Sequence, residues 1–282
     1  MSGLMFIGAH ESIAGGVYKS INFAISDGDE CLQIFVKNAS RWKAKPLTVN
    51  DINRFIEKAR IFGIDRICAH SSYLINLCSP RKDTEEKSIE CFIDEMSRCE
   101  QLKIPYYVMH PGSHLGEGEE YGLKKLVNNI DKIYSEYNFD VMLLLETTAG
   151  QGTNLGYKWE HIHYVIEHSK FSEKIGICLD SAHLYAAGYD LKNNYDEVID
   201  LFISKFGDKI KVFHLNDTNK NCGSRVDRHE YIGRGILGLE FFEKVVNDKR
   251  LGGVLGVLET PIDNDETYKV QVEILKSLRR EL

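Results

Sequence analysis

Basic residues are in deficit here. Thirty-five Lys and Arg stand against 42 Asp and Glu, a formal charge of −7. A protein that coats nucleic acid without choosing a site is basic, so the balance counts against that class. It does not count against one focused phosphate site, because bound cations reverse the local charge. Prolines number five, and no linker-like stretch, low-complexity tract or fixed-period repeat divides the chain, so one domain over residues 1–282 is expected. The seven cysteines are scattered without a CxxC pair. Cys68, Cys91, Cys99 and Cys178 fall inside apolar or helical patterns, as free thiols of a reducing compartment do. No apolar run is long enough to span a bilayer, and the segment from Met1 to Gly8 lacks the basic start of a secretory leader. A cytoplasmic protein without membrane association is expected.

What is present is an alternation. Short apolar runs recur at Leu4–Ala9, Cys31–Val36, Arg66–Ala69, Tyr106–Met109, Val141–Leu145, Ile175–Leu179, Ile210–Phe213 and Val254–Leu258. Between them lie amphipathic helical patterns at Asp51–Phe62, Lys87–Gln101, Leu123–Tyr137, Asp196–Phe206, Leu239–Val246 and Thr267–Leu282, with Thr48 or Asn50 and Asp265 or Thr267 as caps. Eight such units predict an α/β fold, a (β/α)8 TIM barrel. An open doubly wound sheet is the competing architecture, but Ala14-Gly15-Gly16 after the first strand lacks the GxGxxG spacing of its phosphate loop. One barrel buries its own core, so a monomer is expected.

The residues that follow the strands carry the chemistry. The third run ends in His70, the fourth in His110, the fifth in Glu146, the sixth in Asp180, the seventh in His214 and the eighth in Glu259. In a barrel all strand ends of one polarity meet at one face, the C-terminal one. His183 lies one helical turn beyond Asp180, and Asp227 and His229 form an Asp-x-His pair in the loop after the seventh strand. Each has a plain alternative. A lone histidine is usually a satisfied polar residue, Asp180 suits a helix cap, Glu146 and Glu259 suit ion pairs, and Asp227 sits between Arg225 and Arg228. The recurrence of a histidine or carboxylate at one register on six consecutive strands favours metal ligation over all of these. Nine candidates exceed one tetrahedral site, so more than one ion is expected. Imidazole-rich groups suit zinc, with manganese or iron as alternatives where carboxylates dominate.

The motifs make the sequence resemble the endonuclease IV family of zinc-containing apurinic/apyrimidinic endonucleases. They run in order through nearly the whole chain: Phe35-Val36-Lys37-Asn38 with Trp42, His70-Ser71-Ser72-Tyr73-Leu74-Ile75-Asn76-Leu77, His110-Pro111-Gly112-Ser113-His114, Leu145-Glu146-Thr147-Thr148-Ala149-Gly150-Gln151-Gly152, Asp180-Ser181-Ala182-His183, His214-Leu215-Asn216-Asp217, Gly223 to His229, and Leu258-Glu259-Thr260. The resemblance implies three zinc ions. His70, His110 and Glu146 would hold the first. Glu146 would bridge to the second, completed by Asp180, His214 and Glu259, and His183, Asp227 and His229 would hold the third. It implies hydrolysis of duplex DNA 5′ to an abasic site, leaving a 3′-hydroxyl and a 5′-deoxyribose phosphate, together with trimming of blocked 3′ ends. A zinc-activated hydroxide would attack, with Glu146 as the catalytic carboxylate.

DNA contacts are expected at the same face. Tyr73 and Leu74 resemble the family's pair that enters the duplex at the lesion, and an apolar wedge costs least where a base is missing. Lys37, Asn38 and Arg41 lie in a basic and aromatic segment with Trp42, and Arg225 lies near the third metal. The family often has arginine at the place of Ser40; here Arg41 is its neighbour. Rival readings are a sugar isomerase on a related barrel, which lacks the third group of His183, Asp227 and His229, a non-catalytic lesion sensor, and an ultraviolet-damage endonuclease.

Overall fold

The computed structural model describes residues 3–265 and 267–280. Eight parallel strands close into a barrel in sequence order. They are β1 (Phe6–His10), β2 (Cys31–Phe35), β3 (Ile67–His70), β4 (Tyr106–Met109), β5 (Met142–Glu146), β6 (Ile175–Asp180), β7 (Ile210–His214) and β8 (Leu255–Leu258), and β1 pairs with both β2 and β8. All eight expected runs are strands, with ends within two residues of those read from the sequence. Around them lie the helices α1 (Lys19–Asp27), α2 (Val49–Phe62), α3 (Lys82–Leu102), α4 (Glu119–Tyr137), α5 (Trp159–His168), α6 (Ser181–Ala187), α7 (Tyr195–Phe206), α8 (Gly238–Asn247) and α9 (Tyr268–Ser277). Thr48 and Thr267 are the working caps of α2 and α9, their side chains accepting from the amides of Asp51 and Val270. The last helix ends at Ser277, short of the expected Leu282; Glu281 and Leu282, like Met1 and Ser2, lie outside the described residues. Among the described residues no helix is long and apolar enough to cross a membrane.

Side chains alternate across each strand, and this sets where the site forms. One set faces outward into a large apolar layer shared with the helices, with Ile34, Ala69, Leu145 and Phe213 among its fully buried members. The other faces the barrel axis. There Cys31, Cys68, Val108, Leu144, Cys178, Val212 and Val257 form a separate buried cluster. Two residues further along, on the same inward face, stand Gln33, His70, His110, Glu146, Asp180, His214 and Glu259, with His10 ending β1. The apolar layer is the floor and this polar ring is the mouth.

The long segment from β7 to α8 must turn back over that mouth, and Asp217 holds it. Its carboxylate is fully buried and accepts five backbone N–H groups: Oδ1 from Thr218 and Leu237, Oδ2 from Gly233, Gly235 and Gly238, at 2.8 to 3.2 Å. Gly235 must be glycine, because a Cβ there would lie 2.2 Å from Asp217 Oδ1. Asp217→Asn turns an amide N–H toward donors and leaves buried amides unpaired. It is expected to destabilise the metal-free protein by about 1–3 kcal/mol, read by calorimetry as a fall in Tm of roughly 2–4 °C per kcal/mol. An unchanged Tm would mean that this carboxylate does not hold the loop.

Candidate metal centre

Glu146, at the end of β5, is fully buried, and histidines surround both of its oxygens. Oε2 lies 3.0 Å from His70 Nε2 and 3.2 Å from His110 Nε2. Oε1 lies 3.1 Å from His214 Nδ1 and 3.2 Å from His183 Nδ1. Around it the ligand-type atoms fall into three groups, each with all atoms within 4.8 Å of one another: His70, His110 and Glu146; Glu146, Asp180, His214 and Glu259; and Asp180, His183 and His229. Asp227 joins the third, its Oδ1 3.2 Å from His183 Nε2 and 3.6 Å from His229 Nε2. All nine sequence candidates therefore converge on one mouth. His10, Phe35, Tyr73 and Ile262 line the same cavity of about 720 Å³.

Local structure aims these side chains. Asp180 does cap a helix, its Oδ1 accepting from the His183 amide at 2.7 Å, yet Oδ2 still faces the cluster, 3.7 Å from His214 Nδ1 and 3.8 Å from His229 Nε2. The cap and ligand readings thus share one carboxylate. Asp227 turns toward the histidines; Arg228 reaches only its carbonyl oxygen, and the Arg225 guanidinium stacks on the Tyr157 ring, 4.2 Å from its centroid. The loop carrying Asp227 is tied to the end of α6 by the amides of Gly223 and Arg225, which donate to the carbonyls of Tyr185 and Ala186. Asn76 ties the loops after β3 and β4 together through the Ser113 amide and carbonyl. Gly112, at φ 101°, leaves room for the Asn76 side chain, which a Cβ would meet at 2.5 Å.

The DNA-contact candidates divide. Tyr73 is 75% exposed, its ring edge against Phe35 at the rim of the cavity, and Leu74 beside it is half-buried. Their loop is anchored from below, where Glu95 Oε2 accepts from the Ser72 amide and from Tyr107 Oη. Asn38, Arg41 and Arg225 are exposed. Lys37 departs from expectation. Its ammonium is buried, donating to the Trp42 carbonyl at 2.7 Å and lying 3.4 Å from Glu95 and 3.6 Å from Asp94. It pins the β2 loop from inside and presents no charge to a phosphate. Among the mouth residues not singled out from the sequence are His10 and Gln33. Gln33 Nε2 donates to Glu259 Oε1 at 2.6 Å, and His10 Nδ1 lies 3.0 Å from that same Nε2.

The donor set fits divalent cations. In three histidines Nδ1 donates to a backbone carbonyl: His70 to Ser71, His229 to Glu259, and His183 to Thr147, the last Nδ1 also lying 3.2 Å from Glu146 Oε1. That leaves each Nε2 with a lone pair toward the cluster, the arrangement of a metal-ligating imidazole. His229 Nε2 is buried with no hydrogen-bond partner, an acceptor that a cation would satisfy. Without a cation, protons take its place. Burial pushes Glu146 up, but His110 and His214 outweigh it and hold the carboxyl well below its usual range. Burial likewise opposes charge on His183, yet Asp180, Asp227 and Glu146 carry its pKa well above 6.5, and Glu259 and Glu146 carry that of His214 to about 9.

A closed parallel barrel whose inward strand ends gather imidazoles and carboxylates in three interlocking groups is, by class, a xylose isomerase-like TIM barrel with a metal-binding mouth, and the family profile of that description matches residues 21–278. The chain is 44% identical over 278 residues to the probable endonuclease 4 of Chloroflexus aggregans, covering 97% of each protein. It superposes on the crystal structure of endonuclease IV from Thermus thermophilus with a TM-score of 0.86 at 29% identity, over 97% of this chain and 98% of that one. The chain belongs to the endonuclease 4 family. A D-tagatose 3-epimerase-like protein shares the fold at TM-score 0.70 and 20% identity, over 97% of each chain, and that likeness speaks for the fold alone.

The histidine protons give a sign for metal uptake. Below about 9, His214 carries a proton on the nitrogen that a cation needs, so lowering the pH makes each binding event expel more protons and weakens it. Zinc affinity, measured by chelator competition, is expected to rise steadily from pH 6.5 toward about 9. A flat profile over that window would contradict the assignment of His214 to the cation.

Proposed function

We propose that this protein is a DNA-repair endonuclease, with residues 1–282 forming one nuclease domain, that hydrolyses the phosphodiester bond 5′ to an apurinic/apyrimidinic site and also trims blocked 3′ ends. The products are a 3′-hydroxyl and a 5′-deoxyribose phosphate. The observation that carries the reading is the bridging position of Glu146, one oxygen facing His70 and His110, the other facing His214 and His183. A carboxylate so placed could hold two cations side by side, the arrangement that serves phosphodiester hydrolysis. Family membership supports the substrate, because the relatives and the Thermus structure carry the name endonuclease 4 or IV.

In this reading the chain holds three zinc ions. His70, His110 and Glu146 bind one, Glu146, Asp180, His214 and Glu259 a second, and His183, Asp227 and His229 the third; manganese or iron suits the carboxylate-rich second group. Bound cations supply ionisation of a water near neutral pH and neutralise charge building on the phosphate and the departing 3′ oxygen. Glu146, between the groups, would orient the water that the cations ionise. Tyr73 and Leu74 enter the duplex where the base is missing, and Asn38, Arg41 and Arg225 steady the backbone on either side. Asp227 and His229 separate this reading from a sugar isomerase, which has no use for a third group. The protein is proposed to work as a cytoplasmic monomer.

The deciding assay is incision of a duplex carrying one abasic analogue, beside elemental analysis of the same preparation. About three zinc-class ions per chain and a cut 5′ to the lesion are expected. An intact duplex with fully metal-loaded protein would overturn the proposal. Glu146→Gln is expected to lower kcat/KM by on the order of 1,000-fold. Tyr73→Ala, at an exposed position, is expected to cost roughly 10- to 100-fold on the lesion duplex, the range of one lost aromatic stack, with metal content and Tm unchanged.

A further inference from the structure

Three of the buried or half-buried histidines at the mouth fix Nδ1 on a backbone carbonyl, which no side-chain substitution removes. His214 uses a side chain instead. Its Nε2 lies 2.9 Å from Gln33 Oε1. Gln33 stands on β2, fully buried, and its amide has four partners: Glu259 Oε1 at 2.6 Å and His10 Nδ1 at 3.0 Å on the nitrogen, His214 Nε2 at 2.9 Å and Cys68 Sγ at 3.4 Å on the oxygen. That is the full capacity of a primary amide, two donors and two acceptor sites.

The chemistry of those partners fixes which way the amide points. A carboxylate only accepts, so the amide nitrogen must face Glu259. The oxygen then faces His214, whose Nε2 must carry its hydrogen. The lone pair is therefore on Nδ1, and Nδ1 is the nitrogen inside the four-residue group, 3.1 Å from Glu146 Oε1 and 3.2 Å from Glu259 Oε2. The same amide occupies Glu259 Oε1 and leaves Oε2 turned to the group. We propose that Gln33 is the positioning residue of this centre: it dictates ligation through His214 Nδ1 and Glu259 Oε2, and so sets how tightly the group of Glu146, Asp180, His214 and Glu259 holds its cation. The inference rests on the metal-centre reading above. An apolar residue at 33 would leave the His214 N–H buried and unpaired, and a glutamate would set a second carboxylate against Glu259.

The test has two arms. In zinc-loaded wild-type protein labelled with ¹⁵N-histidine, long-range ¹H–¹⁵N correlations should report His214 protonated at Nε2 and ligated at Nδ1, with the signal assigned by its loss in His214→Asn. In Gln33→Met, which keeps the volume, chelator competition should show one zinc ion per chain held about 10- to 100-fold more weakly, the usual loss when an outer partner of a ligand is removed, with the other ions held as before. A His214 hydrogen on Nδ1 in the loaded protein, or unchanged affinity in Gln33→Met, would overturn the inference while leaving the metal centre intact. Wild-type protein that takes up no zinc would overturn the metal-centre reading itself, and this inference with it.

Discussion

A carboxylate deep in a protein is tolerated only when positive charge or hydrogen-bond donors meet both of its oxygens. Glu146 imposes that condition on the whole mouth of this barrel. Four imidazoles converge on it from β3, the loop after β4, the start of α6 and the end of β7. They in turn are compensated by Asp180, Asp227 and Glu259. Glu146, His183 and His214 are each held charged by other members of the set. The cluster therefore behaves as one cooperative unit, and protons or cations are interchangeable ways of completing it.

The barrel supplies the geometry at little cost because strand alternation already sorts the residues. The inward apolar side chain of each strand from β2 to β8 lies two positions before the polar one, so the floor and the ring are the same pattern shifted by one pleat. Loops then need only be tied down. Asp217 folds the β7–α8 segment back on itself, Asn76 joins the β3 and β4 loops, and Glu95 with Lys37 anchors the segments beneath Tyr73 and Trp42. These anchors are buried or half-buried polar groups with satisfied partners, which rigidify the surface that would meet a duplex.

The architecture was readable from the sequence because eight short apolar runs recur with amphipathic helical stretches between most of them. The nine cluster residues were readable because their register repeats from strand to strand. Gln33 escaped because it lies inside an apolar run, not at its end, although a lone amide between Leu32 and Ile34 on a buried strand was itself a signal. His10 stands one residue past its run, as His70 and His110 stand past theirs, and was missed only because the register rule was applied from the third strand on and not to the first. Lys37 was misplaced because a lysine near Asn38 and Arg41 looks like part of a basic surface, and no local pattern reveals that Asp94 and Glu95, more than fifty residues away on α3, draw its ammonium inward. Short helices such as α1, α5 and α6 gave little periodic signal for their length.

Among the described residues, none of the ligand-type atoms gathered at this mouth is sulfur, and six of the seven cysteines are buried, with Cys222 alone exposed. Cys31, Cys68 and Cys178 lie directly beneath the ring as small apolar filler, and burial pushes their thiols well above the ordinary range, away from the reactive thiolate. Peroxide attacks thiolates and thioethers long before it attacks imidazole or carboxylate. A centre built this way has no thiolate ligand to lose as oxidant levels climb.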